Sequence, residues 1–316
     1  MVSSARLTVL GSLNMDISVT VPRLPAPGAT VLGGAAAFAP GGKGANQAVA
    51  AARLGGDVLM AGCVGDDDFG RALRAALVAE GVSDAAVRTV RGVPTGLAMI
   101  TVDEGGENII TVAPGANREA GPAEVNAVSE ATDAAAALVI SAEVPAAAIR
   151  AALTAGSYGL RVLNLAPAPR EAAGIVAAGV DWLVVNESEA TAVLGRPVAG
   201  LAGAAGAAGA AADLARAGAV NAVVTAGAAG AAYRGPAGAL IVPGFPVRPV
   251  DSVGAGDTFV GALAVALAAG VPPHDAVIAA AAAGAAAATR PGTQAGMPRP
   301  ADVRAATGHS WPVAVG

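Results

Sequence analysis

Short apolar runs rich in β-branched residues alternate with alanine-rich helical stretches along most of this chain, and that alternation leaves few folds open. The runs are RLTVLGS (6–12), DVLMAGC (57–63), AALVIS (136–141), LRVLNL (160–165), DWLVVN (181–186) and NAVVTAG (221–227). Helical stretches follow at 42–54, 67–80, 145–155, 187–194 and 201–217. A strand that is apolar throughout needs cover on both faces. The pattern therefore predicts an α/β fold, a central and mostly parallel sheet with helices on both sides. At 316 residues the chain is long enough for a single domain of this kind over 1–316, with a small appendage. Hydrophobic residues make up 54% but aromatics only 3%, so the helices are expected to pack closely through small side chains.

Two segments break the rhythm. Residues 16–40 and 95–115 read as strand pairs with no helix between them. They form either a small β-sheet set apart from the core as a lid, or hairpins packed on the core's edge, and the pattern leaves both open. The stretch 199–218 is low in complexity and reads as a surface helix, and no repeat of solenoid length is present.

Charge and composition exclude several function classes. A formal charge of −5 and the lack of a basic stripe argue against nucleic acid as a partner. The most apolar region, 259–289, is split by Pro272, Pro273, His274 and Asp275 into pieces too short to span a bilayer. The first residues run straight into a strand and lack the apolar core of a signal peptide. Cys63 is the single cysteine, which rules out an internal disulfide and suits a reducing compartment. A soluble, cytoplasmic protein without membrane partners is expected.

The chemistry concentrates at VDSVGAGDTFVGALAV (250–265), where Gly254, Ala255 and Gly256 make a side-chain-poor turn at a helix start. The N–H groups of such a turn lack intrahelical partners and sit at the positive end of the helix dipole, which suits an anion. Asp257 follows at once. A carboxylate there would compete with the anion unless it had its own task, such as taking a proton from a hydroxyl that attacks a bound phosphoryl group. A helix cap is the competing reading, and the motif alone leaves the two open. The turn is not a dinucleotide fingerprint, because Phe259 holds the third glycine position. A second glycine cluster, GGKGANQAVAAARLG (41–55), fails the phosphate-loop pattern: residue 37 is Ala, and Gly44 stands where Ser or Thr belongs. Its Lys43 and Asn46 are candidates to reach from a helix start towards a polyhydroxylated ligand, with a solvated lysine on a loop as the alternative. Asn14, Asp16 and Glu143 are expected just past the carboxyl ends of strands, where open sheets bind ligands. Asn186 and Glu189, three apart at another helix start, form a candidate outer shell for magnesium. Each of these residues taken singly has a cap or a solvated loop as its alternative.

PGGKGANQAVAAARLGGDVLMAGCVGDDDFG (40–70) and DSVGAGDTFVGAL (251–263) resemble the two signature regions of the ribokinase-like sugar kinase family. The resemblance runs nearly end to end, through GSLNMD (11–16), PTGLAM (94–99), ENIITVAPGAN (107–117), LNLAPA (163–168), NESEA (186–190) and TRPGTQ (289–294). It implies a Rossmann-like α/β fold with a β lid, and a homodimer in which two lids clasp. It implies ATP-dependent phosphorylation of D-ribose at the 5-hydroxyl, with Asp257 as base and Gly254, Ala255 and Gly256 as the anion hole. Asn14, Asp16, Gly42, Lys43, Asn46 and Glu143 match positions that hold sugar hydroxyls, and Ala98 and Ile110 match lid positions over the sugar. Asn186, Thr225, Gly227, Gly230 and Gly256 match the nucleotide side, with Asn186 and Glu189 linked indirectly to Mg2+. Asp251, Val253, Arg290 and Gly292 match a loop that binds a monovalent cation, usually K+. The chain departs from the family at TAGAAG (225–230), which carries alanines in place of a larger polar residue, and in helix 276–289, which lacks a polar side chain near the base. The alternatives are a same-fold kinase for deoxyribose, a ketohexose or a nucleoside, and a non-catalytic sugar sensor.

Overall fold

The computed structural model describes residues 5–131, 137–198 and 203–314. The chain opens with β1 (Arg6–Leu10), β2 (Asn14–Val21), β3 (Ala37–Gly41), α1 (Lys43–Arg53), β4 (Asp57–Gly65), α2 (Asp68–Ala79) and β5 (Ser83–Val90). It continues through β6 (Gly96–Asp103), β7 (Asn108–Ala113), α3 (Pro122–Glu130), β8 (Ala137–Ser141), α4 (Ala146–Thr154), β9 (Leu160–Asn164), α5 (Ala172–Ala177), β10 (Val180–Asn186) and α6 (Glu187–Leu194). The last third holds α7 (Ala204–Ala217), β11 (Ala219–Thr225), β12 (Gly230–Gly235), β13 (Gly238–Pro243), α8 (Ala255–Ala268), α9 (Pro273–Ala287), α10 (Thr293–Gly296) and α11 (Pro300–Thr307). Ala136 of the expected 136–141 strand, and residues 199–202 of the low-complexity stretch and expected helix, lie outside the described residues.

The main sheet has nine strands in the order β13-β12-β11-β10-β9-β8-β1-β4-β5, and β12 alone runs against the others. Its central strands explain the unbroken apolar runs. Ala137 and Val139 of β8 face one core with α1, α8 and α9, while Leu138 and Ile140 face a second core with α4, α6 and α7. Trp182 and Val184 of β10 divide from Leu183 and Val185 in the same way. Each fully buried Leu or Val contributes roughly 1.5–3 kcal/mol, so both helical layers are held by the same strands. Small residues set the packing distance, as expected. A Cβ on Gly261 of α8 would meet the Gln47 carbonyl of α1 at 2.6 Å, and one on Gly284 of α9 would meet the Ala255 carbonyl at 3.1 Å.

The second sheet settles the open question about 16–40 and 95–115. It is separate and four-stranded, in the order β3-β2-β6-β7, with β2 and β6 parallel and the outer pairs antiparallel. The sequence reading misplaced one boundary here. β1 ends at Leu10, and after a three-residue link β2 begins at Asn14, so Asn14 and Asp16 are lid-strand residues rather than loop residues past a core strand. Three strands were not expected. β5 is an edge strand whose alternating half-exposed pattern hides it among polar residues, and β12–β13 is a hairpin at the opposite edge.

Candidate active site

The two helix starts singled out from the sequence meet at the carboxyl end of the main sheet. α1 follows Gly42, whose φ of +89° and close neighbours, Asn14 N at 2.7 Å from an added Cβ, admit only glycine. Gly44 lies against Gly11, with 2.6 Å from its virtual Cβ to the Gly11 backbone, and this lets α1 start directly over β1. A Cβ on Gly41 would fall 2.2 Å from the Asp16 carboxylate. Glycines thus draw β2, β3 and α1 together.

Asp16, Glu143 and Asp257 surround Lys43 there. Glu143 Oε2 accepts from Ser12 Oγ at 2.5 Å and from the Lys43 backbone N–H at 3.2 Å. Burial, and then the charges of Glu143 and Asp257, push the Asp16 carboxyl up to about 7 against the opposing effect of Lys43. The Asp257 carboxylate, followed by Glu143, Glu189 and Asp16, holds the Lys43 ammonium above its ordinary value in spite of burial. Negative charge exceeds positive in this pocket, which suits a ligand that brings hydroxyl donors.

Asp257 is buried in the first turn of α8. The cap reading fails, since no side chain caps this helix and both Asp257 oxygens are engaged elsewhere. Oδ2 accepts from Asn46 Nδ2 at 2.9 Å, and Oδ1 from Gln47 Nε2 at 3.1 Å. Asn46 Oδ1 in turn accepts from Gln294 Nε2 at 3.0 Å. Gly254 has a φ of +80°, and no atom lies within 4 Å of a Cβ built on Gly256, so the turn is open at that position.

A cavity of about 270 Å³ extends from that turn and brings together Thr225, Gly227, Gly230, Ala255 and Gly256. Phe245, Phe259, Ala281, Gly284, Ala285 and Ala288 also line it, so the apolar 276–289 helix and the alanine-rich 225–230 loop face the same space. A second cavity, about 540 Å³, lies under the lid and is lined by Asn14, Val112, Asn117, Arg118 and Glu143 among others. In register, Asp16, Ala98 and Val112 stand side by side across the lid on one face, with Ile100 and Ile110 one step further out. Ala98 is buried and Ile110 half exposed.

The remaining site residues divide. Asp251 Oδ1 accepts from Val253 N and its Oδ2 from Gly292 N, at 2.9 and 3.0 Å, so one carboxylate joins the two loop segments matched to the cation site. The Arg290 guanidinium turns away to Asp302 at 2.7 Å, which leaves its backbone for that loop. Asn186 and Glu189 form a reciprocal cap of α6: Glu189 N donates to Asn186 Oδ1, Asn186 N to Glu189 Oε2 and Asn186 Nδ2 to Glu189 Oε1. Burial raises the Glu189 carboxyl above its ordinary range.

A family model described as pfkB family carbohydrate kinase matches residues 4–300. The chain belongs to this family. It is 36% identical over 295 residues to a ribokinase of Bacillus subtilis, covering 92% of this chain and 96% of the other. It is 33% identical over 268 residues to a deoxyribokinase of Salmonella typhi, covering 82% and 84%. A solved structure of Arabidopsis thaliana ribokinase complexed with ribose and ATP matches with a TM-score of 0.80 at 29% identity, covering 95% and 97%.

Sequence reasoning missed four residues of this carbohydrate kinase's site. Asn117 accepts from Leu13 N at 2.9 Å and donates to Leu13 O at 3.1 Å and Asn14 Oδ1 at 2.8 Å, fixing the base of the lid. Gln47, Asn164 and Gln294 surround Asp257 and Asn46. All four are uncharged amides, which read as surface residues until the fold supplies their partners. The kinase also staples its 294–297 segment to α1, where Arg53 Nη1 donates to the carbonyls of Gln294 and Met297 at 2.7 Å.

Proposed function

We propose that this kinase transfers the γ-phosphoryl group of ATP to the 5-hydroxyl of D-ribose, giving ribose 5-phosphate and ADP, with Asp257 as the base. One observation carries the reading: an open glycine turn at the start of α8 lies next to a buried carboxylate that does not cap its own helix. The N–H groups of Gly254, Ala255 and Gly256 would hold the phosphoryl group, and Asp257 would face the attacking oxygen.

ATP fits with its base in the apolar cavity by Phe245 and Ala285, and with Thr225, Gly227 and Gly230 along the chain towards the turn. Ribose fits beneath the lid, its hydroxyls donating to Asp16 and Glu143 and meeting Asn14, Gly42, Lys43 and Asn46, with Ala98 and Ile110 above. Each hydroxyl donated to a carboxylate relieves the like-charge crowding that raises Asp16. A carboxylate is too weak a base to ionise an alcohol beforehand. The 5-oxygen therefore attacks in line, and its proton passes to Asp257 as the new P–O bond forms and the bond to ADP breaks. Lys43 and the turn N–H groups stabilise charge on the transferring group, and lid closure excludes water.

Magnesium fits as an ion carried in on the nucleotide. Among the described residues no group of three or more His, Cys, Asp or Glu is placed to hold a metal, and Asn186 and Glu189 are bonded to each other. They would touch the ion only through its water, in keeping with magnesium's reluctance to dehydrate. When bound it neutralises charge on the phosphates. The oxygen-rich backbone at Asp251, Val253, Arg290 and Gly292 suits K+. A Cβ on Gly254 would meet Thr293 Cγ2 at 2.9 Å, so this loop abuts the phosphate turn and a cation there would reinforce it.

The lid also supports a homodimer. β7 is an edge strand exposed along its whole length, and Met99, Ile109, Ile110 and Val112 present about half their surface. A bare apolar edge of this kind calls for a partner. The chain would act as one kinase domain with this lid. No helix among the described residues is long and apolar enough to cross a membrane, and a single buried free thiol at Cys63 suits the cytoplasm.

The test is ATP-dependent phosphorylation across ribose, deoxyribose, fructose, adenosine and pseudouridine, with and without K+. Ribose is expected to lead in kcat/KM. A lead for any other acceptor overturns the ribose assignment, and ribose binding without turnover favours a sensor.

A further inference from the structure

Gln47 is buried completely in α1, on a stretch where Gly44 to Ala51 are all buried and the neighbours are mostly alanine. Its Nε2 donates to Asp257 Oδ1 at 3.1 Å and to Asn164 Oδ1 at 3.0 Å, one acceptor for each amide hydrogen. Its Oε1 is buried with no hydrogen-bond partner. The amide cannot be turned the other way, since Oε1 would then face two acceptors. Asn164, at the carboxyl end of β9, is fixed in turn because its Nδ2 donates to the Val184 carbonyl of β10 at 3.0 Å.

We infer that Gln47 is a positioning residue: an amide relay from the Val184 carbonyl through Asn164 and Gln47 holds the Asp257 carboxylate in the plane it needs to accept the sugar proton. This rests on the reading of Asp257 as base. A carboxylate turns freely about its last bond unless both oxygens are held, and here Asn46 holds Oδ2 while Gln47 holds Oδ1. Two bonds occupy two of roughly four acceptor directions and leave others for the hydroxyl. The two prongs differ in origin. Asn46 is tied to Gln294 in the 290–296 segment, whereas Gln47 is tied through Asn164 to β9 and β10, two strands each paired on both sides in the main sheet.

The unpaired Oε1 distinguishes this from a role in packing. An apolar side chain of the same length would bury no unsatisfied oxygen of its own but would leave Asp257 Oδ1 and Asn164 Oδ1 without their shared donor, so what glutamine supplies here is the N–H pair rather than its bulk.

The test compares Gln47→Met, Asn164→Ala, the double variant and Asp257→Asn, reading kcat, KM for ribose and melting temperature. Gln47→Met is expected to lower kcat about a hundredfold, the scale of a misplaced reacting group, with KM within about threefold and a modestly lower melting temperature, since two buried acceptors lose their donor. Asn164→Ala is expected to lower kcat as well, and the double variant to lose little beyond the worse single. The inference is overturned if Gln47→Met keeps kcat within about threefold of wild type, or if its loss appears in KM alone. It is also overturned if the two single losses multiply in the double variant. Should Gln47→Met fail to fold, Asn164→Ala carries the test on the same kcat criterion. Asp257→Asn separates the claims. Full turnover in that variant removes the base reading itself, whereas an inactive Asp257→Asn beside an active Gln47→Met removes only the relay.

Discussion

Replacing Asp16 by Asn should stabilise this kinase at alkaline pH and weaken its grip on sugar. Asp16 stands in β2 with its carboxyl pushed up to about 7, first by burial and then by Glu143 and Asp257, from an ordinary 3.8. Between those values the native state keeps the proton and the unfolded chain has released it. Stability therefore falls as pH rises through this window, by about 1.4 kcal/mol per unit. Below the ordinary value the penalty is absent, and above about 7 it is complete, at roughly 4 kcal/mol. Asn has no proton to lose. The variant should thus match wild type near pH 4, exceed it by about 1.5 kcal/mol at pH 5 and by up to about 4 kcal/mol at pH 8. Urea unfolding at a series of pH values reads this directly. A stability difference that does not change with pH, or one that shrinks as pH rises, would refute the raised Asp16 carboxyl and the reasoning built on it. The same variant should raise KM for ribose if, as proposed, Asp16 receives sugar hydroxyls.

Gly256→Ala has room for its methyl, with nothing within 4 Å, and should gain up to about 1 kcal/mol in helix propensity. It should still lose roughly a hundredfold in kcat by crowding the phosphate turn, and a variant with normal kcat would take the turn out of the mechanism. Asn117→Ala orphans the buried N–H and carbonyl of Leu13 together with the Asn14 amide, so it should cost on the order of 3 kcal/mol in chemical unfolding and raise KM for sugar. A loss well under 1 kcal/mol would show that water replaces the side chain. Ile110→Lys puts a charge on the exposed β7 edge and should turn a dimer into a monomer in sedimentation without changing the melting temperature of the subunit. An unchanged sedimentation coefficient would remove β7 from any interface.

Much of this architecture was legible because the central strands are apolar on both faces. Val139 and Ile140 serve two different cores, and no other arrangement accommodates such a run. The helix expected at 187–194 is found there because Asn186 and Glu189 write its start into adjacent residues. β5 was not legible, since SDAAVRTV has no continuous apolar run and carries Asp, Arg and Ala on the positions where its half-buried alternation would need large apolar residues. Asp257 stood out in the sequence because an acid in a glycine turn conflicts with the turn's own charge. What holds Asp257 did not stand out. Asn46, Gln47 and Asn164 reach it only through contacts more than a hundred residues apart, and amides have no charge conflict to betray them. The family resemblance supplied Asn46 as a sugar ligand, yet in the structure both ends of its amide are spent on Asp257 and Gln294. The proposed contact to sugar would use the remaining hydrogen or lone pair.

The most direct measurement is single-turnover phosphorylation of ribose by Asp257→Asn, with ribose binding by calorimetry alongside. The account predicts binding within a few-fold of wild type and a rate lower by roughly a hundredfold or more, since the amide keeps the shape and loses the proton acceptor. A variant that binds ribose and still turns over near the wild-type rate would contradict it and leave the α8 carboxylate without a catalytic part.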